Sequence, residues 1–312
     1  MTEPATADLL AAVRPGGKPV PEGGEAGGEL GGSVLRLFAR TFVENRLAVA
    51  GTTLIVIMAG FCFLGPVFYH SDTLNTRLLD TNMPPGNGWP LGTDDSGRDI
   101  LGRLMLGGQS SLEVGLSVAL LASTFGAVWG AIAGYAGGIV DALMMRFVDG
   151  MLAVPGLFFF LFLASVIRPT LLLIIFVLSI FSWLVPARLS RGETLSLRTR
   201  EYVQAVKVMG GSRRRVVFRH ILPNAIGTLI VNATFQVADA ILALALLSYL
   251  GFGLSPPAAT WGGMLSAGIT YVYDGYWWQV YPAGILIVLT VVAFNFIGDA
   301  LRDASEVRLQ HR

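Results

Sequence analysis

Charge is what this 312-residue sequence has least of: Asp, Glu, Lys and Arg make up 14% of it, against about 25% in an ordinary soluble domain. Hydrophobic residues make up 53%, and mean hydropathy is +0.62. Long apolar runs with few charges exclude a soluble globule and point to a polytopic α-helical membrane protein. A barrel would show short alternating segments, and these runs are continuous. Cysteine is nearly absent. The one residue, Cys62, sits in an apolar run, which excludes an internal disulfide or a cysteine-built metal cluster. His70, His220 and His311 are widely separated, so no metal site is expected. Lysine is scarce too: Lys18 and Lys207 are the whole supply. Neither follows a phosphate-binding loop of the G-x-x-x-x-G-K-[ST] kind. G-x-S-x-G and H-E-x-x-H are also missing. The chain therefore carries no catalytic constellation and is not expected to be an enzyme.

What is present begins with a leader, residues 1–34, rich in Gly, Pro, Ala and Glu. It cannot bury a core and reads as a flexible tail. Residues 35–46 form a short amphipathic segment, with Leu35, Phe38 and Phe42 on one face, suited to the lipid surface. The first apolar run starts near Leu47, too late and too long for a cleaved signal, and reads as a retained span. Six spans follow from runs long enough to cross ~30 Å of hydrocarbon: about 47–69, 108–135, 142–167, 170–190, 224–250 and 281–301. Six spans place both ends on one side. With the N-terminus inside, 18 of the 22 Lys and Arg fall on inner segments. Only Arg77, Arg98, Arg103 and Arg168 fall outside. The positive-inside rule then makes both ends cytoplasmic.

The stretch EYVQAVKVMGGSRRRVVFRHILPN, 201–224, is thereby a cytoplasmic loop. Tyr202, Ala205, Val206 and Met209 form one apolar face of a short helix. Gly210 and Gly211 end that helix, and Ser212 caps a second one. Val216, Val217, His220 and Ile221 give the second helix its stripe before Pro223. Arg213, Arg214 and Arg215 open that helix against its dipole. Anionic lipid and an acidic protein surface are both suitable compensations.

Polar residues within the spans are few. Thr228, Asn232, Gln236 and Asp239 lie at spacings 4, 4 and 3, on one side of the fifth span. They suit either a transport path or hydrogen bonding between helices. Glu113 and Asp149 read as end-of-span residues that cap or snorkel, and Asp299 with Arg302 as a local pair. Outside, Asp94, Asp95, Arg98 and Asp99 form a charged loop. Tyr271, Tyr273, Tyr276, Trp277, Trp278 and Tyr281 suit an interfacial belt or a partner contact.

The 201–224 stretch resembles the EAA loop of ABC-importer permeases in Gln204-Ala205-Val206, Gly210 and Ile221-Leu222-Pro223. Gln204 and Val206 depart from that pattern's Glu and second Ala. LGTDDSGRDILGRLMLGGQSSL, AGYAGGIVDALMMRFVDGMLAVPGLF, SPPAATWGGML and AFNFIGDALRDA resemble, in order, the C-type permease subunit of dipeptide and oligopeptide importers. The resemblance implies an all-α, six-span type I importer (MetI-like) permease fold over 47–312, with a coupling loop at 191–223. It implies a second homologous permease, two ATPase subunits or one fused ATPase, and an extracytoplasmic binding protein. ATP and Mg would be bound by the ATPases and no cofactor by this chain. Membrane lipids, and no nucleic acid, complete the expected partners. Gln204, Ala205, Val206, Met209, Gly210, Gly211, Ser212, Arg213, Arg214 and Arg215 become the ATPase-coupling residues. Thr228, Asn232, Gln236 and Asp239 become the path candidates. Asp94, Asp95, Arg98, Asp99 and Trp261 become binding-protein contacts. Relatives importing nickel, haem or another small solute share the pattern. An ion-driven transporter using Asp239 stands as the alternative of another class, one that requires paired broken helices and inverted repeats.

Overall fold

A computed structural model describes residues 42, 44–71, 73, 75–86, 88–255 and 257–310, with side chains to 305. The tail 1–34 and residues 35–41 and 43 of segment 35–46 lie outside the described residues. The regular elements described are all helices: α1 (Arg46–Phe68), α2 (Ile100–Ala136), α3 (Gly138–Leu152), α4 (Gly156–Val166), α5 (Leu171–Ser182), α6 (Leu184–Leu197), α7 (Glu201–Val208), α8 (Arg213–Tyr249), α9 (Trp261–Gly268) and α10 (Tyr281–Gln310). Among the described residues four helices are long and apolar enough to cross a membrane, and six spans result if the bent pairs α3–α4 and α5–α6 each count as one. The fold is that of an all-α integral membrane protein.

Helix starts follow local chemistry. Asn45 caps α1 through Leu47 N at 3.0 Å, Thr170 caps α5 through Leu173 N at 3.3 Å, and Thr260 caps α9 through Gly263 N at 3.1 Å. Asp99, fully buried, caps α2 by accepting from Leu101 N and Gly102 N at 3.3 and 3.1 Å. The third apolar run is not straight. It bends by 68° at Val154-Pro155, because a proline cannot extend the ladder of the preceding turn. The fourth bends by 41° between Ser182 and Leu184.

The centre of the bundle is the contact of α2 with α6. Gly126, Gly130 and Gly134 recur every four residues and so line one face of α2. A Cβ at Gly126 would lie 2.5 Å from the Trp183 carbonyl oxygen. One at Gly130 would lie 2.7 Å from Arg191 N, and one at Gly134 would lie 2.9 Å from the Arg191 carbonyl oxygen. Backbone therefore lies directly on backbone, the close approach that small residues permit. Ser190 Oγ donates to the Ala127 carbonyl across the seam at 2.7 Å. Around the seam, Trp183 meets Trp129 edge-on, with centroids 5.1 Å apart, and packs with Val148 of α3. A second cluster gathers α1, α2, α8 and α10 around Trp261, whose Nε1 donates to the Leu104 carbonyl at 3.0 Å.

One end of the bundle carries α7. The other carries an irregular cap, residues 75–99, stapled to the turn before α10. Trp278 Nε1 donates to the Thr93 carbonyl at 3.3 Å, and Gln279 Nε2 to Asn82 Oδ1 at 2.7 Å. Asp94 Oδ1 accepts from Ser96 N and Arg98 N at 2.9 and 2.8 Å, and Arg103 Nε lies 3.5 Å from its other oxygen. Burial pushes the Asp94 carboxyl above the usual range, against the pull of those amides and of Arg103.

Two stability measurements check these assignments. Gly130→Leu should cost about 3 kcal/mol or more, since overpacking here meets backbone that cannot move aside. Gly192→Ala, on the open side of α6 with nothing within 4 Å of a new Cβ, should be neutral or gain up to about 1 kcal/mol. Asp99→Ala should cost about 1 kcal/mol as a lost cap, while Asp95→Ala should stay within about 0.5 kcal/mol. Thermal unfolding of the purified protein followed by tryptophan fluorescence reads both pairs.

Candidate functional site: the helical turn at one end of the bundle

The 201–222 segment is a helix, a bend and a second helix start, held by few contacts. Val203, fully buried, seats α7 against Val216 and Ile221, with Tyr135 and Leu197 at the edge. Lys207 Nζ stands 5.2 Å over the Tyr135 ring. Gly210 takes φ +75° in the bend, and its N–H bonds the Lys207 carbonyl at 3.0 Å. Gly211 donates to the Val206 carbonyl at 2.9 Å, and a Cβ there would sit 2.5 Å from Val206 Cγ1. Ser212 Oγ accepts from Arg215 N at 3.3 Å, capping α8. A π turn over Val216–Ile221 then leads into the apolar part of α8.

The inward face of α7 differs from the expected one. Val203 and the half-buried Val206 face the bundle, whereas Tyr202, Ala205 and Met209 are exposed. Val208 is 88% and Met209 77% exposed. Arg213, Arg214 and Arg215 are exposed beside them. Gln204 Nε2 donates to the Arg198 carbonyl at 2.9 Å, closing the end of α6. A carboxylate at this position could not donate that bond.

Behind α7, polar groups tie neighbouring helices together. Arg198 Nη1 donates to the Gly134 carbonyl at 2.9 Å. Arg191 holds Asp141 of α3 with two bonds, Nε to Oδ1 at 2.6 Å and Nη2 to Oδ2 at 2.7 Å. Arg188 reaches Asp149 at 2.5 Å, so Asp149 is half of an ion pair to α6 rather than a span-end residue. Nothing in the charge pattern of α3 alone announced these pairs. Asp141 and Arg191 lie fifty residues apart and meet only because α3 folds back antiparallel to α6.

The four path candidates do not share one environment. Thr228 and Asn232 are half-buried, and Asn232 Oδ1 is buried with no partner. Gln236 is buried and hydrogen-bonded within the chain, to Ser123 of α2 and the Ser182 carbonyl. Asp239 alone faces outward from α8. The cap residues divide likewise. Asp95 is exposed, and Asp94 and Arg98 are half-buried. The expectation that Asp99 and Trp261 meet a partner is corrected: both are 0% exposed, one as the α2 cap and the other as a core anchor. The Asp99 cap was detectable as an acid directly before an apolar run. Among the described residues no group of His, Cys, Asp or Glu is placed to hold a metal ion.

Residues 126–311, which include α6, α7 and the whole of α8, match the family described as binding-protein-dependent transport system inner membrane component. Residues 33–85 match the N-terminal transmembrane domain of oligopeptide transport permease C. The oligopeptide transport system permease protein OppC of Bacillus subtilis is 39% identical over 269 residues, 86% of this chain and 88% of that one. The OppC of Escherichia coli is 40% identical over 268 residues, 85% and 88% of the two chains. The dipeptide transport system permease protein DppC of Bacillus subtilis is 35% identical over 271 residues, 87% and 85%. With an all-helical spanning fold and coverage of this extent, the chain belongs to the binding-protein-dependent transport system inner membrane components, the non-catalytic permease subunits of ABC transporters.

Proposed function

We propose that the chain forms half of a translocation pathway for dipeptides or oligopeptides in an ATP-driven importer of the cell membrane, with both ends in the cytoplasm. A second, homologous permease supplies the other half. ATPase subunits bind ATP and Mg, and an extracytoplasmic protein delivers the peptide. The observation that carries this reading is the exposed apolar tip of the 201–222 segment, Tyr202, Val208 and Met209, flanked by three arginines. A cluster of exposed apolar side chains rimmed by polar residues is the usual mark of an interaction surface. The relatives' names supply peptide as the cargo class.

Mechanically, α7 is a handle. It rests on Tyr135 at the end of α2 and on Ile221 at the start of the apolar part of α8. Closure of the ATPases around nucleotide displaces that handle, and two stable arrangements of the bundle follow, one open to each side. Hydrolysis returns the cargo-releasing state. Asp95 is exposed on the opposite cap, and that exposure supports it as the member of the 94–99 loop that meets the delivering protein.

Val208→Asp with Met209→Asp tests the handle. Both side chains are exposed, so insertion and abundance should match the parent. ATP-driven uptake of a tripeptide by the reconstituted complex should fall by tenfold or more, about 1.4 kcal/mol of lost coupling. Unchanged uptake in an assembled complex would rule out ATPase docking at this tip. Mass spectrometry of ligand carried by the co-purified delivery protein should find short peptides; a metal chelate or haem there would replace peptide as the cargo.

A further inference from the structure

Gln236, expected among path residues, has a different task in the structure. Pro186 is the third residue of α6 and has no N–H. The carbonyl four residues earlier, that of Ser182, therefore loses its ordinary helical donor. Ser182 is the last residue of α5, at the 41° bend. The donor that replaces the missing one comes from another helix: Gln236 Nε2 of α8 bonds the Ser182 carbonyl oxygen. The other end of the same amide, Oε1, accepts from Ser123 Oγ of α2 at 3.1 Å. Gln236 is 8% exposed, so its amide joins three helices in a largely buried place. A bare carbonyl at such a place is costly, and membrane helices keep their proline bends only where neighbours re-satisfy the freed group.

The same chemistry recurs elsewhere in the bundle. Pro66 leaves the Cys62 carbonyl without its helical donor, and Gln109 Nε2 of α2 donates to it at 2.7 Å. Two proline breaks are thus each matched by a glutamine from a packed neighbour. The pairs differ in what carries the glutamine. Gln236 stands on α8, which starts just after the Gly210-Gly211 bend and passes through the π turn at Val216–Ile221 before its apolar part. A displacement at the start of α8 reaches the α5–α6 bend through this amide as well as through the apolar packing of α8 on α5 and α6.

We propose that Gln236 is a positioning residue for transport: it holds the Pro186 bend and makes the α5–α6 angle follow the movement of α8. The transport half of this proposal rests on the reading of 201–222 as the ATPase contact; the clamp itself does not.

The test uses the complete complex in liposomes and three variants, Gln236→Leu, Pro186→Ala and both together. Thermal midpoint and peptide moved per ATP hydrolysed are measured for each. Gln236→Leu should lower the midpoint and cut peptide per ATP by roughly tenfold, the order expected of a residue that couples two sites. Adding Pro186→Ala restores a backbone N–H for the Ser182 carbonyl. The double variant should regain the midpoint but not the peptide-per-ATP ratio, because its bend has straightened. The bend is read separately as the distance between spin labels at the exposed positions Phe176 and Gly192, which should lengthen in the double variant with no ATPase present. Three outcomes overturn the proposal: Gln236→Leu with parental midpoint and ratio, a double variant that recovers both, or one that recovers neither. A parent complex without ATP-driven uptake would instead defeat the importer reading, leaving midpoint rescue and label distance to judge the clamp.

Discussion

The close approach of α2 and α6 is the constraint on which the other contacts depend. Within a bilayer, helices gain little from hiding apolar surface, because lipid is as apolar as leucine. What holds them is dense van der Waals contact, and contact is densest where no side chain intervenes. Gly126, Gly130 and Gly134 provide that over three successive turns. The result is stiff, since neither helix has rotamers to yield at the contact. Everything that binds to the seam inherits its position: Ser190 through Ala127, Arg198 through Gly134, and α3 through the Asp141–Arg191 pair. The places where the chain turns lie just beyond the seam or at its edge, at Gly137-Gly138 with φ of +66° and +56°, at Val154-Pro155, and at Trp183.

Polar groups in this interior are treated unequally. Four side chains of α2, α6 and α8, namely Gln109, Ser123, Ser190 and Gln236, bond across helices. Trp129 Nε1, Thr194 Oγ1 and Asn232 Oδ1, on the same three helices, are buried without a partner. Each such atom costs about 1–3 kcal/mol. Two of the partnered groups, Gln109 and Gln236, bond carbonyls that prolines left bare. Breaks and amides form a matched set, and removing one member exposes the other.

Sequence patterns were most informative where the determinants are local. The Gly210-Gly211 bend and the Ser212 cap depend on a few adjacent residues, and both are in the structure. Low charge and continuous apolar runs were enough for an all-helical membrane fold. Facing was much less legible. Spanning helices are apolar on every side, so periodicity does not say which side meets protein and which meets lipid. The short α7 does not span, but it carries apolar residues on two faces, and Val203, not Tyr202 or Met209, proves to be its inward residue. The Thr228–Asp239 stripe looked like one surface, yet Gln236 turns inward while Asp239 turns out. The proline–glutamine matches were out of reach for a related reason: Pro186 and Gln236 lie fifty residues apart, and neither residue type announces a partner.

The placement of α7 joins these features. Arg213, Arg214 and Arg215 open α8 with the charge that its dipole disfavours, by about 0.3–1 kcal/mol each. Ser212 recovers part of this by capping, and burial of Val216, Val217 and Ile221 recovers more. The start of α8 is accordingly held by tertiary contact rather than by its own helical preference, and it can shift when that contact shifts. Tyr135 belongs to the stiff α2–α6 body, while Ile221 belongs to α8, and Val203 of α7 touches the cluster that contains both. Val203 of α7 therefore bears at once on the stiff body and on the start of α8. At the α2–α8 contact Gln236 links Ser123 of the stiff body to the Ser182 carbonyl at the bend.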